Sequence, residues 1–120
     1  MRARGSFSGG REGRKDMDNL FAGVIGPTRE EVVETLLERP EFRLERIVST
    51  GQATPEGQWY DQERNEWVAV LSGSAGLLIE GEGEIRVMRP GDHVLIPAHR
   101  RHRVAWTDPQ EPTVWLAIHY

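Results

Sequence analysis

Arg89-Pro90-Gly91-Asp92-His93-Val94-Leu95-Ile96-Pro97-Ala98-His99-Arg100-Arg101-His102-Arg103-Val104 is the stretch on which the fold turns. Pro90-Gly91 marks a tight turn, because Pro presets φ at one corner and Gly accepts a positive φ at the next. Val94-Leu95-Ile96 is an apolar run of strand length, too short for a helix. Pro97 has no N–H to give to a ladder, so the strand ends there or lies at a sheet edge. Beyond the corner, His102, Val104 and Trp106 share one face at period two, with Arg101 and Arg103 on the other. A histidine is thereby expected on the apolar face of a strand.

Outward from this stretch the same grammar repeats. Phe42–Ser49, Glu66–Leu71, Leu77–Ile79, Ile85–Met88 and Thr113–His119 read as strands, with Gly51, Pro55 and Gly57, Ser72-Gly73-Ser74 and Gly81-Glu82-Gly83 as loops or turns between them. In Glu66–Leu71, alternation puts Glu66, Val68 and Val70 on one face. Many short strands in sequence indicate an antiparallel sandwich or jelly roll. Residues 28–39 read as a helix packed outside the sheet. Thr28 and Glu31 form a capping box, Val32, Val33, Leu36 and Leu37 an apolar stripe, and Pro40 a stop.

The 120-residue chain has the size of one domain. It contains no Cys, which excludes disulfides, thiolate ligands and Cys nucleophiles, and fits a cytoplasmic protein. Residues 1–16, rich in Gly, Ser and Arg, are expected to form a disordered basic tail, with 17–40 as an N-terminal segment. The other residues carry ten basic and seventeen acidic groups. That acidic body argues against a nucleic-acid partner. No apolar run reaches membrane-spanning length, and Leu20–Gly26 is too short and too closely preceded by Asp16 and Asp18 for a signal peptide.

The run Pro90-Gly91-Asp92, Ile96-Pro97 and His102 resembles the second conserved motif of the cupins, small β-barrels that often bind a metal; the resemblance covers about residues 43–119. It implies an all-β fold, a cupin-type antiparallel β-barrel (double-stranded β-helix, jelly roll) over 41–120 behind the one N-terminal helix. The first cupin motif carries two His two residues apart and a Glu several residues later. Glu66 stands in register for that Glu, ahead of Val70-Leu71-Ser72-Gly73, whereas the histidine positions fall on Trp59 and Asp61, or on Tyr60 and Gln62.

The resemblance therefore implies a divalent transition metal (Zn, Fe, Mn or Ni) held by Asp61, Gln62, His99 and His102, with Glu66 and Tyr60 moving protons. A buried histidine hydrogen-bonded to Glu66 is the structural alternative. Trp59, Trp67, Trp106 and Trp115 are candidates to line an apolar pocket or fill the core. His93 reads as a surface group, and His119 shares a face with Trp115 and Ala117 without an assigned role. Two functions follow: a metal-dependent isomerase or dioxygenase-like enzyme on a small sugar or carboxylic acid, or a ligand-binding or sensing cupin without turnover. A homodimer is expected, since exposed strand edges favour pairing and cupins are often dimers.

Overall fold

The computed structural model describes residues 17–120, so the expected basic tail lies outside the described residues. Eight antiparallel strands follow one another: β1 Val32–Arg39, β2 Phe42–Ser49, β3 Glu66–Ser72, β4 Ala75–Ile79, β5 Arg86–Met88, β6 His93–Ile96, β7 His102–Thr107 and β8 Thr113–His119. They form a five-stranded sheet, β1-β2-β8-β3-β6, facing a three-stranded sheet, β5-β4-β7. A bridge between Tyr60 and His102 extends the small sheet past β7.

The turn residues do what their chemistry allows. Gly91 has φ 94°, and Asp92 N–H donates to the Arg89 carbonyl at 2.9 Å, closing the corner before β6. β6 stops at Ile96 and is an edge strand, which accommodates Pro97.

The expected helix over 28–39 is replaced by strand β1. Val32 pairs with Val48 and Arg39 with Phe42, and the register shifts between Thr35 and Leu37. That irregularity changes the side-chain alternation within the strand. The spacing of Val32, Val33, Leu36 and Leu37 thus imitates a helical stripe. The capping box does not form: Thr28 Oγ1 donates to the Glu30 carbonyl at 2.7 Å. An open edge on β2, together with two β-branched valines, outweighs the local capping signals.

The core lies between the sheets and includes Val68, Val70, Ala75, Leu77, Ile79, Met88, Ile96, Trp115 and Ala117. Glu66, Val68 and Val70 are all buried. The expectation for β7 fails at Trp106. A register shift at Gly76/Leu77 pairs Gly76 with Trp106 but Leu77 with Val104, and the Trp106 indole lies against Gly76. The irregularity separates Trp106 from the inward face shared by His102 and Val104.

Candidate functional site

Antiparallel pairing gathers polar inward residues at one end of the barrel. Glu66 opens β3 and is the direct cross-strand partner of His119 near the end of β8. His102 opens β7, and Glu45 on β2 lies opposite Ala117, two residues before His119. Farther along the same inward faces the residues become apolar: Val68 and Val70 on β3, Ala117 and Trp115 on β8. Four ionisable side chains therefore stand where the core gives way to a cavity of about 200 Å³. Its lining includes Glu31, Glu45, Glu66, His102, His119, Tyr60 and Gln62, above a floor of Val68, Leu77, Ile96 and Trp115. Such a volume falls below the ~300–1,000 Å³ usual for drug-sized ligands.

His102 is 5 % exposed and Glu66 8 %. His102 Nδ1 bonds the Arg100 carbonyl at 2.9 Å, and Nε2 stands 3.5 Å from Glu66 Oε1. Burial by itself would lower the imidazole pKa. The Glu66 carboxylate and the Arg100 carbonyl act the other way and prevail, so the pKa lies above its ordinary value. The protonated ring donates from both nitrogens. Tyr60 and His102 exchange backbone hydrogen bonds, Tyr60 N–H to the His102 carbonyl at 2.7 Å and the reverse at 3.1 Å. Their rings lie 5.6 Å apart. Burial, helped by the charges of Glu31 and Glu66, raises the Tyr60 pKa against a hydrogen bond with Thr54 that lowers it. The phenol therefore keeps its proton at neutral pH.

A second pair occupies the same cavity. His119 Nε2 meets Glu45 Oε1 at 2.8 Å, and Arg43 Nε donates to Glu45 Oε2 at 2.9 Å. On the neighbouring wall, Trp115 Nε1–H donates to Ser49 Oγ at 3.0 Å, and Ser49 donates to the Glu31 carboxylate. Glu45 and His119 received no role from the sequence, and Glu31 was read as the capping-box partner of Thr28. The available signal was parity on β2 and β8, which places Glu45 with Ile47 and His119 with Trp115 and Ala117.

Of the six residues expected at the site, Glu66, His102, Tyr60 and Gln62 line the cavity. Asp61 and His99 are not among its lining residues. They pair with each other at 2.9 Å, with side chains 51 % and 66 % exposed. His99 has φ 64°, and its N–H donates to the Gln62 carbonyl at 2.7 Å, so it serves as the turn residue of the corner. The expected metal-binding set of Asp61, Gln62, His99 and His102 therefore does not close around one point. Among the described residues, no three His, Asp or Glu side chains are grouped to share an ion. A resident metal does not fit the side chains as they stand.

Of the four tryptophans, Trp115 lines the cavity. Trp59 lies beneath the guanidinium groups of Arg101 and Arg103, at 5.6 and 6.0 Å. Trp67 lies 5.4 Å from the His93 ring. Among the described residues no helix is long and apolar enough to cross a membrane.

The chain is similar in structure to a Ralstonia eutropha JMP134 protein with the provisional name mannose-6-phosphate isomerase. The two are 56% identical, with 88% of this chain and 97% of that one covered and a TM-score of 0.84. A cupin superfamily protein from Desulfitobacterium hafniense DCB-2 matches with 14% identity over 88% and 92% of the two chains, TM-score 0.68. An RmlC-like cupin with a double-stranded β-helix fold from Methanocaldococcus jannaschii matches with 17% identity over 77% and 81%, TM-score 0.61. No curated protein matches the sequence. The family model of the cupin domain matches residues 47–119, more than half of the chain, and with the two facing antiparallel sheets it shows that this chain belongs to the cupins.

Proposed function

We propose that this cupin binds a small polar molecule in the cavity between its sheets, with the Glu66–His102 pair as the acid–base centre. The observation that carries the reading is a buried ion pair opening onto a cavity of small-ligand size. Burying two ionisable groups is costly, and a bound ligand provides a use for their placement. Tyr60, with its phenol protonated, is suited to donate a hydrogen bond to the ligand, and Gln62 offers both a donor and an acceptor. Sugars and small carboxylic acids are the ligand classes to test first.

NMR titration of the protein with neutral monosaccharides and small carboxylic acids tests the reading. Binding should perturb the His102 ring and amides of β3 and β7, and His102→Ala should abolish it. Saturable binding whose perturbations all lie outside the cavity, or binding unchanged in His102→Ala, contradicts it.

We further propose a homodimer formed through the outer face of the large sheet. Trp67 pairs across strands with both Leu95 and Ile118, and Leu95 is 50 % exposed, leaving an apolar strip for a second copy to cover. Light scattering should give twice the chain mass, and Leu95→Lys should return it to the monomer.

A further inference from the structure

His119 is more than a neighbour of the Glu66–His102 centre. Its ring lines the same cavity, and its Nε2 is held by Glu45, whose other oxygen is fixed by Arg43. A carboxylate that accepts the Nε2–H fixes the tautomer and leaves a lone pair on Nδ1. Among the described residues, Nδ1 has no hydrogen-bond partner, and the fully enclosed unpaired side-chain atoms are Arg46 Nε and Arg103 Nε. With Nε2 engaged by Glu45, Nδ1 is the ring nitrogen left for a ligand in the cavity that the side chain lines. The arrangement of acid, oriented imidazole and free ring nitrogen is that of a general base.

We propose that His119, held by Glu45 and Arg43, is a second acid–base group of the cavity, and that the two pairs move protons between carbon and oxygen of an uncharged hydroxycarbonyl compound. The inference rests on the cavity being the ligand site. His119 Nδ1 takes the proton from the carbon beside the carbonyl. The C–H electron pair becomes the C=C bond of an enediol, and the carbonyl π pair takes up the proton carried by the Glu66–His102 pair. Delivery of the His119 proton to the former carbonyl carbon, with the hydroxyl proton on the neighbouring carbon passing to the Glu66–His102 pair as that C–O becomes the new carbonyl, gives the isomeric hydroxycarbonyl and restores both pairs. No electron enters or leaves, and no co-reactant is consumed. An uncharged ligand is favoured because Glu31, Glu45 and Glu66 line the cavity, with no Lys or Arg among its lining residues. A phosphate ester would be set against three carboxylates.

Dihydroxyacetone and fructose in D₂O are the probes, with fructose 6-phosphate as the charged counterpart and ¹H NMR as the readout. Wild type should exchange the C–H protons of at least one neutral probe well above buffer, and fructose 6-phosphate more slowly than fructose. His119→Ala should lower exchange by about 100-fold or more, with binding retained and with partial restoration by added imidazole. The pH profile of wild type should lose one limb in the variant, reflecting the groups that face His119: Glu45 and Arg43 from β2, Glu66 from β3 and His102 from β7. Should His119→Ala not fold, Glu45→Gln carries the test and must slow exchange about tenfold or more.

Exchange at the wild-type rate in the folded variant overturns the role of His119. Wild type that binds a neutral probe in the cavity without exchange overturns the chemistry and leaves the ligand site standing. Equal exchange of fructose 6-phosphate overturns the selection for an uncharged ligand. No cavity perturbation by any probe removes this inference together with the reading beneath it.

Discussion

His102 Nε2 and Glu66 Oε1 meet at 3.5 Å, across the gap between the two sheets and with both side chains buried. The carboxylate and the Arg100 carbonyl outweigh desolvation and raise the imidazole pKa above its ordinary value. The folded-state pKa of His102 is raised, so its contribution to stability is fully present below the unfolded value of about 6.5. That contribution is lost as pH rises through the folded pKa. NMR titration of the ring should show His102 titrating above the ordinary histidine value of about 6.5. In Glu66→Gln the midpoint should drop, since burial then acts without its counter-charge, and the added stability at low pH should vanish. A His102 midpoint that does not move in Glu66→Gln refutes the pairing.

Ser49 is fully buried and accepts from Trp115 Nε1–H while donating to Glu31. Ser49→Ala strands both partners. An unsatisfied buried donor costs about 1–3 kcal/mol, and urea unfolding should show a loss of that size. Trp115→Phe removes the indole donor and should make the further cost of Ser49→Ala smaller. Full additivity of the two substitutions would show that the hydrogen bond contributes nothing.

Much of this arrangement was legible from residues alone. The inward parity of Glu66 and His102 followed from alternation along two strands, because each polar residue precedes an apolar inward face. Where alternation is interrupted, the reading fails. The register shift in β1 makes Val32–Leu37 imitate a helix, and the shift at Gly76/Leu77 separates Trp106 from His102 and Val104. Both irregularities depend on the partner strand, which local spacing does not encode. Glu45 and His119 stand 74 positions apart and meet because β2 and β8 are neighbours. Asp61 and His99 were expected to hold a metal with Gln62 and His102, whereas they pair with each other in an exposed contact at the corner where His99 has a left-handed φ.

That corner gives a direct test. With φ 64°, His99 occupies a conformation that Gly adopts freely and a Cβ-bearing residue does not. His99→Ala and His99→Gly both lose the exposed contact with Asp61. They differ in backbone tolerance, so the Gly variant should be more stable than the Ala variant by about 1 kcal/mol. Ligand binding in the cavity should be the same in both and in wild type. Binding abolished in both variants would return His99 to the site.

Gly76 provides the sharpest packing prediction. A Cβ built on Gly76 would lie 2.7 Å from Cδ1 and Cε2 of Trp106, with Nε1 closer still. The obstacle is a rigid indole, not the free end of a flexible chain. Gly76→Ala should therefore force Trp106 off its position and destabilise the fold by roughly 1–3 kcal/mol, as overpacking does. The shift of the indole should also change its fluorescence. Trp106→Ala vacates the space, so the same Gly76→Ala change should cost much less in that background. A double-mutant cycle from urea unfolding isolates the term: a coupling of about 1 kcal/mol or more is expected for groups in contact. A coupling near zero would mean that Trp106 does not rest on Gly76, and that the register shift between β4 and β7 is misplaced.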